Sequence, residues 1–341
     1  AAGRERGGPH PPGRGAAGEA ASGAGPRMKI ITPPALGPGA RIHVVAPSGP
    51  VPRDRFEPGL ARLQALLPGN YTMAPNLWER DGFLAGDDAS RLRALQEALA
   101  DPSIDAIVCA RGGYGATRLL PVLDPKRLRA APKVLVGFSD FTAVLAWALE
   151  RAGVAGIHGP VVAQMSTLAD DDADHLVYLL RGEDPPAIAA EEGAVLRGGR
   201  VQGRLVVANL EVLRSLIGTA AFPSLDGSIL ALEEIGERPY RIDRALTQLM
   251  TSGSLRGVRG VAVGQLIGCT EPPEGNPESP SAHAVMVERL GALGVPVVTG
   301  FPFGHDHQRN LALPFGALAE LAADDGALYL LEPATAASGP H

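Results

Sequence analysis

The chain has 341 residues, more than one ordinary hydrophobic core holds, so two domains are expected. Its apolar fraction of 45% and charged fraction of 20% describe a globular body rather than a disordered chain. A net charge of −6 argues against a nucleic-acid binder, which needs a basic face, and no run of about 18 apolar residues suggests a membrane span.

Residues 1–27 are rich in Gly, Ala and Pro with scattered Arg, and lack the apolar stretch of a secretory signal. They are expected to form a disordered extension, with Met28 as the natural start and the first folded residues near Arg41. From there strands and helices alternate. "RIHVVAPSGP" (Arg41 to Pro50) reads as a strand ending in a small-residue loop, "RFEPGLARLQALL" as a helix and "YTMAPNL" as a short second strand. In "DDASRLRALQEALADP" the apolar positions Leu92, Leu95 and Leu99 have helical spacing, with Asp87 or Asp88 as cap and Pro102 as stop. "IDAIVCA" is a third strand, and "RGGYGATRLLPVL" a Gly loop opening a helix. "KVLVGF" is a fourth strand, with "FTAVLAWALERAG" as the helix after it.

This pattern predicts an α/β fold: an N-terminal parallel-sheet domain with flanking helices over 28–165. Ligands bind beyond the carboxyl ends of such strands, where three loops fall: Ala46 to Pro50, Arg111 to Gly115, and Gly137 to Asp140. Residues 166–200, including "EDPPAIAAEEGAVLRGG", read as a linker. A smaller C-terminal α/β domain is expected over 201–335, with "GSILALEEIGE" as a strand and "PYRIDRALTQLMTSG" as a helix starting at Pro239. "RGVAVGQLIG" and "VPVVTGFPFG" add strands, and the tail reads as a closing hairpin.

Ser139 sits where the fourth strand breaks. A serine there can simply cap a helix, and so can Asp140. A nucleophilic serine needs a base, a group to orient that base, and donors for an oxyanion. A Ser-x-x-Lys pair is excluded because Thr142 occupies the lysine position. The hydrolase elbow G-x-S-x-G is matched only by its first half, "GFSDF". "RGGYG" offers backbone N–H groups for an anion, but it is neither a P-loop nor G-x-G-x-x-G. Of the eight histidines, His10 and His341 lie in tails, and His43, His175 and His283 lie on strand or helix patterns. His158, His305 and His307 fall in loops or at strand ends, where catalytic groups concentrate, and His305 is the best placed. "LALEEIGE" supplies Glu233, Glu234 and Glu237 as orienting acids. "HDH" is the strongest metal candidate, but there is no H-E-x-x-H or C-x-x-C, so no metal and no other cofactor is expected. Cys109 and Cys269 each adjoin a strand and are expected to be buried free thiols, in keeping with a reducing compartment.

Five segments in order carry a resemblance: "RGGYGATRLLPVLD", "VGFSDFTAV", "GIHGPV", "LEEIGERPYRIDRALTQL" and "GFPFGHDHQRNLALPFG". From about Ile42 to Leu331 the chain resembles the LD-carboxypeptidase family, serine peptidases also called muramoyltetrapeptide carboxypeptidases. The resemblance implies a catalytic triad of Ser139, Glu233 and His305, and an oxyanion hole from the backbone amides of Gly113 and Asp140. It implies hydrolysis of the L,D bond before the terminal D-alanine of murein tetrapeptides. The family setting adds cytoplasmic murein recycling in a homodimer, with no nucleic acid and no membrane as partner. The substrate ends in a carboxylate, and Arg111 and Arg241 are candidates to hold it. Two alternatives stay open: a relative giving immunity to microcin C by cleaving a peptide–adenylate, and a non-catalytic ligand-binding α/β protein.

Overall fold

The computed structural model describes residues 28–191 and 193–336, so the disorder expected for 1–27 concerns residues outside the described ones. The alternating elements build a first sheet from β1 (Arg41–Val45), β2 (Asn70–Met73), β3 (Ala106–Cys109), β4 (Val134–Gly137) and β5 (Gly156–His158). These run parallel in the order β2-β1-β3-β4-β5. Between them lie α1 (Arg53–Leu66), α2 (Asp88–Ala100), α3 (Pro125–Ala130) and α4 (Thr142–Trp147). The α2 cap is Asp87, whose carboxylate accepts the Ser90 N–H at 2.7 Å. The Gly loop does not open the expected helix. It makes one tight turn, Ala116–Arg118. Pro121, with no N–H to donate, stands where a second turn would form.

All four residues of β3 and of β4 are buried, as a sheet covered on both faces demands. Side chains alternate along them with a period of two. Val134 and Val136 face a core shared with Phe56 and Leu63 of α1. Leu135 faces the opposite core, with Val144 and Trp147 of α4.

The second sheet has eight strands: β6 (Ile188–Ala189), β7 (Val195–Arg197), β8 (Arg200–Asn209), β9 (Ser228–Ile235), β10 (Gly260–Ile267) and β11 (Val297–Thr299), with β13 (Leu318–Ala322) and β14 (Ala327–Leu330) as the expected hairpin. Its centre, β8-β9-β10-β11, is parallel. The helices of this half are α6 (Leu210–Ser215), α7 (Pro239–Thr251) and α8 (Ala282–Gly291), while α5 (Asp170–Arg181) precedes it.

Three boundaries differ from the sequence expectation. Residues 166–200 are not a bare linker: α5 buries Leu176, Leu179 and Leu180 against the first core, and β6 and β7 close the two edges of the second sheet. β12 (Leu313–Phe315) does not stay with the C-terminal half but pairs antiparallel with β5 at the edge of the first sheet. Order begins before Arg41, because Ile31 donates its N–H to the Gly153 carbonyl at 2.7 Å and accepts from Ala155 at 2.9 Å. The two halves share one apolar core, in which α4 residues pack with Leu205 to Ala208 of β8 and Ile229 to Leu232 of β9. The carboxyl ends of β4 and β9 both border it.

Candidate active site

Ser139 is the only non-glycine residue among those described with a positive φ, at 60°. A left-handed L-residue costs about 1–2 kcal/mol, so the surrounding packing must hold it. Buried β4 fixes the chain on one side, and buried Phe141 and α4 fix it on the other. The backbone next to it has room only for glycine: a Cβ on Gly112 would stand 2.7 Å from Ser139 Cβ and 2.8 Å from its Oγ. Gly112 turns its carbonyl to the Gly49 N–H at 3.1 Å. The peptide is trans, so the Gly113 N–H points away from Gly49. Gly113 itself has φ 117°, open to glycine, and a Cβ there would meet Gly49 N at 3.0 Å.

Glu233 lies at the end of the apolar run of β9 and is fully buried. A carboxylate in that setting requires a partner. It has one: Glu233 Oε2 is 2.6 Å from His305 Nδ1. The His305 side chain is 12% exposed, so this pair is shielded while the far edge of the ring reaches the surface. Its ring centroid lies 4.7 Å from that of Phe138, the residue before Ser139. That contact brings the imidazole from the C-terminal half to the Ser139 turn.

The loop holding His305 is a turn, not an extended segment. Asp306 Oδ1 accepts from the N–H groups of Gln308 (2.8 Å) and Arg309 (3.0 Å). Gln265 accepts from the Asp306 N–H and donates to the Arg309 carbonyl. Asn310 accepts from the Gly304 N–H at 3.0 Å. His307, on the same turn, is exposed.

Asp140 has a role that spacing did not reveal. Its buried carboxylate accepts from Ser48 Oγ at 2.6 Å and from the Ala116 N–H at 2.8 Å. It thereby ties together the three strand-end loops. Burial pushes its carboxyl upward, against those two hydrogen bonds. Fully buried Arg91 braces the same place, donating to the carbonyls of Pro47 and of Gly115. Arg111 is exposed and donates to the Pro50 carbonyl at 2.7 Å, at the mouth of these loops. Arg241 lies on α7, with its Nε 3.2 Å from Tyr240 Oη and a loose ion pair to Glu237. Glu234 points away from the pair and accepts from Asn209 Nδ2 and the Glu211 N–H.

The remaining histidines divide as residue type and position suggest. His43 pairs with Thr72, His175 with the Ala312 carbonyl, and His283 lies 3.4 Å from Thr299 Oγ1. His10 and His341 lie outside the described residues. Both cysteines are buried and free, and burial pushes their thiols up. Among the described residues no group of three His, Cys, Asp or Glu side chains is gathered as a metal site. No helix among them is long and apolar enough to cross a membrane.

The chain matches the LD-carboxypeptidase N-terminal domain over residues 42–159 and the LD-carboxypeptidase C-terminal domain over 202–321. It is 33% identical over 296 residues to a murein tetrapeptide carboxypeptidase of Pseudomonas aeruginosa, covering 82% of this chain and 92% of that protein. The fold is similar to the crystal structure of muramoyltetrapeptide carboxypeptidase from Oxalobacter formigenes, with TM-score 0.74, 28% identity, and coverage of 85% of this chain and 98% of that one. It is also similar in fold to MccF in complex with glutamyl sulfamoyl guanosine, with TM-score 0.79, 21% identity, and coverage of 89% and 99%. With both domain matches in order along one chain, this protein belongs to the LD-carboxypeptidase family.

Proposed function

We propose that the protein is a serine carboxypeptidase that removes the terminal D-alanine from murein tetrapeptides, with Ser139, Glu233 and His305 as its triad. The observation that carries this is the buried Glu233–His305 pair at 2.6 Å, beside a serine held in a strained left-handed turn. Glu233 fixes the proton on His305 Nδ1 and leaves Nε2 free as the base. His305 takes the Ser139 proton as Oγ attacks the peptide carbonyl. The oxyanion is held by the N–H groups of Gly113 and Asp140. Collapse of the intermediate breaks the C–N bond, and His305 returns the proton to the leaving D-alanine amine. Water then hydrolyses the acyl-serine by the same route. Arg111, on the loops that frame Ser139, and Arg241, at the start of the helix after β9, are the candidates for the substrate carboxylate. The name of the 33% identical relative supports the substrate class. Murein recycling in the cytoplasm and a homodimeric state belong to the same reading.

One observation favours a second reading, peptide–adenylate hydrolysis. Exposed Phe83 and Tyr114 pack with centroids 5.6 Å apart and planes tilted by 58°, and Tyr114 adjoins Gly113. An exposed face of either ring offers a surface for a flat base. Incubation with murein tetrapeptide and with a peptide–adenylate in parallel, read by mass spectrometry, separates the two. The first reading expects loss of one alanine from the tetrapeptide. Cleavage of the adenylate alone would favour the second.

Two further outcomes follow. Gly112→Ala should lower kcat/KM by about a hundredfold or more, because the added methyl displaces Ser139 by a large fraction of an ångström. Steady-state kinetics alongside a thermal melt checks this. Exhaustive chelation should leave turnover unchanged, since no step calls on a metal. Loss of activity on chelation, restored by zinc, would point back to His305 and His307 as ligands.

A further inference from the structure

His158 ends β5 in the segment "GIHGP", and its side chain is fully buried. Neither ring nitrogen makes a hydrogen bond of good geometry within the protein, and its own main chain offers only a weak contact. A buried imidazole left in that state is costly, so its site needs an explanation. Its surroundings supply one. The ring meets Phe138 edge-on at 5.9 Å and Phe303 at 6.4 Å. Phe138 is the same ring that packs on His305, and Phe303 lies two residues before it. The charged neighbours that His158 senses are Glu233 and His305. Glu233 in turn has one satisfied oxygen, Oε2, while its buried Oε1 has no partner. An unpartnered buried imidazole therefore packs on Phe138, the ring that also packs on His305, and the carboxylate bonded to His305 keeps one buried oxygen without a partner.

We infer that His158 is a positioning residue for the catalytic pair: one ring N–H donates to Glu233 Oε1, directly on a small ring rotation or through a single internal water. The inference rests on the triad reading above. Burial pushes the His158 imidazole down to about 4, so the ring is neutral near pH 7 and carries one donor and one acceptor. A neutral donor is what Glu233 requires. It satisfies the second oxygen without competing, as a cation would, for the charge that steadies His305. The other titratable groups near the carboxylate are Glu234, beside it on β9, and the Cys269 thiol after β10. Neither can donate to Oε1 while Glu234 is occupied by Asn209 and the Glu211 N–H, and the thiol lies against the Ile267 carbonyl.

Two measurements test this. In the resting protein, nitrogen-15 NMR of the imidazoles should show His158 as a single neutral tautomer whose N–H resists exchange, and that resonance should shift in Glu233→Gln. This arm requires no substrate, so it stands even if the substrate assignment fails. In turnover, His158→Phe should lower kcat by about tenfold to a hundredfold with KM nearly unchanged. The acid limb of its kcat/KM profile should move to higher pH, because the Glu233–His305 pair holds a proton more tightly once Oε1 loses its donor. His158→Gln, which keeps an amide donor, should recover most of both. The inference is overturned if the imidazole signal is indifferent to Glu233→Gln. It is equally overturned if His158→Phe keeps wild-type kcat and pH profile, or if His158→Gln falls as far as His158→Phe in a folded protein, since each result leaves only a packing role.

Discussion

Ser139→Ala is expected to lower turnover by about 10⁴ to 10⁶-fold, the scale on which a triad member is lost. Stability should change by less than about 1 kcal/mol. The serine side chain is not used to build the turn: the left-handed backbone is held by β4, Phe141 and the Gly112 contact, and alanine meets the same backbone strain as serine. Loss of activity without loss of folding is therefore the signature of a nucleophile rather than a cap. Kinetics of the purified variant, with a denaturant titration beside it, decides this. A variant keeping more than about a tenth of wild-type activity would remove the serine mechanism.

The second large effect separates two histidines on one turn. His305→Ala should lower kcat by at least about three orders of magnitude, because it removes the general base and leaves Glu233 as an uncompensated buried carboxylate. His307→Ala should cost less than about tenfold, since its side chain is exposed and only its backbone carbonyl is used, by Thr167 at 2.8 Å. Asp306 folds the segment into a turn that Gln265 and Asn310 lock, with His305 held against buried Glu233 and His307 exposed. Paired kinetics on the two variants checks the assignment. A dead His307→Ala with a near-normal His305→Ala would reverse it.

What could be read from the sequence was whatever is local. The apolar runs of β1, β3 and β4 declare buried parallel strands because both of their faces are covered, and the spacing of Leu92, Leu95 and Leu99 declares α2. Gly137 and Ser139 mark the end of β4 because an apolar run cannot continue through them. What escaped is what distance in the chain conceals. Glu233 and His305 are 72 residues apart, and no periodicity tells which of the three acids in "LEEIGE" faces an imidazole. The resemblance to a known family supplied that pairing. The transfer of β12 to the first sheet hides inside "LALPF", since a short apolar strand fits either sheet. Residues 166–200 read as a connector because Pro and acidic residues dominate their second half, while α5 shows its apolar stripe only against α1. Asp140 was visible as an acid beside a serine, but its task of binding Ser48 and Ala116 depends on three loops converging.

Whether Ser139 is the nucleophile toward murein tetrapeptide is read most directly by a competition experiment. The protein is treated with a fluorophosphonate serine probe, with and without murein tetrapeptide, and the modified peptide is mapped by mass spectrometry. The expected result is a single adduct on Ser139, formed more slowly when the tetrapeptide is present. An adduct on another serine, or labelling of Ser139 that the tetrapeptide does not slow, would contradict the assignment.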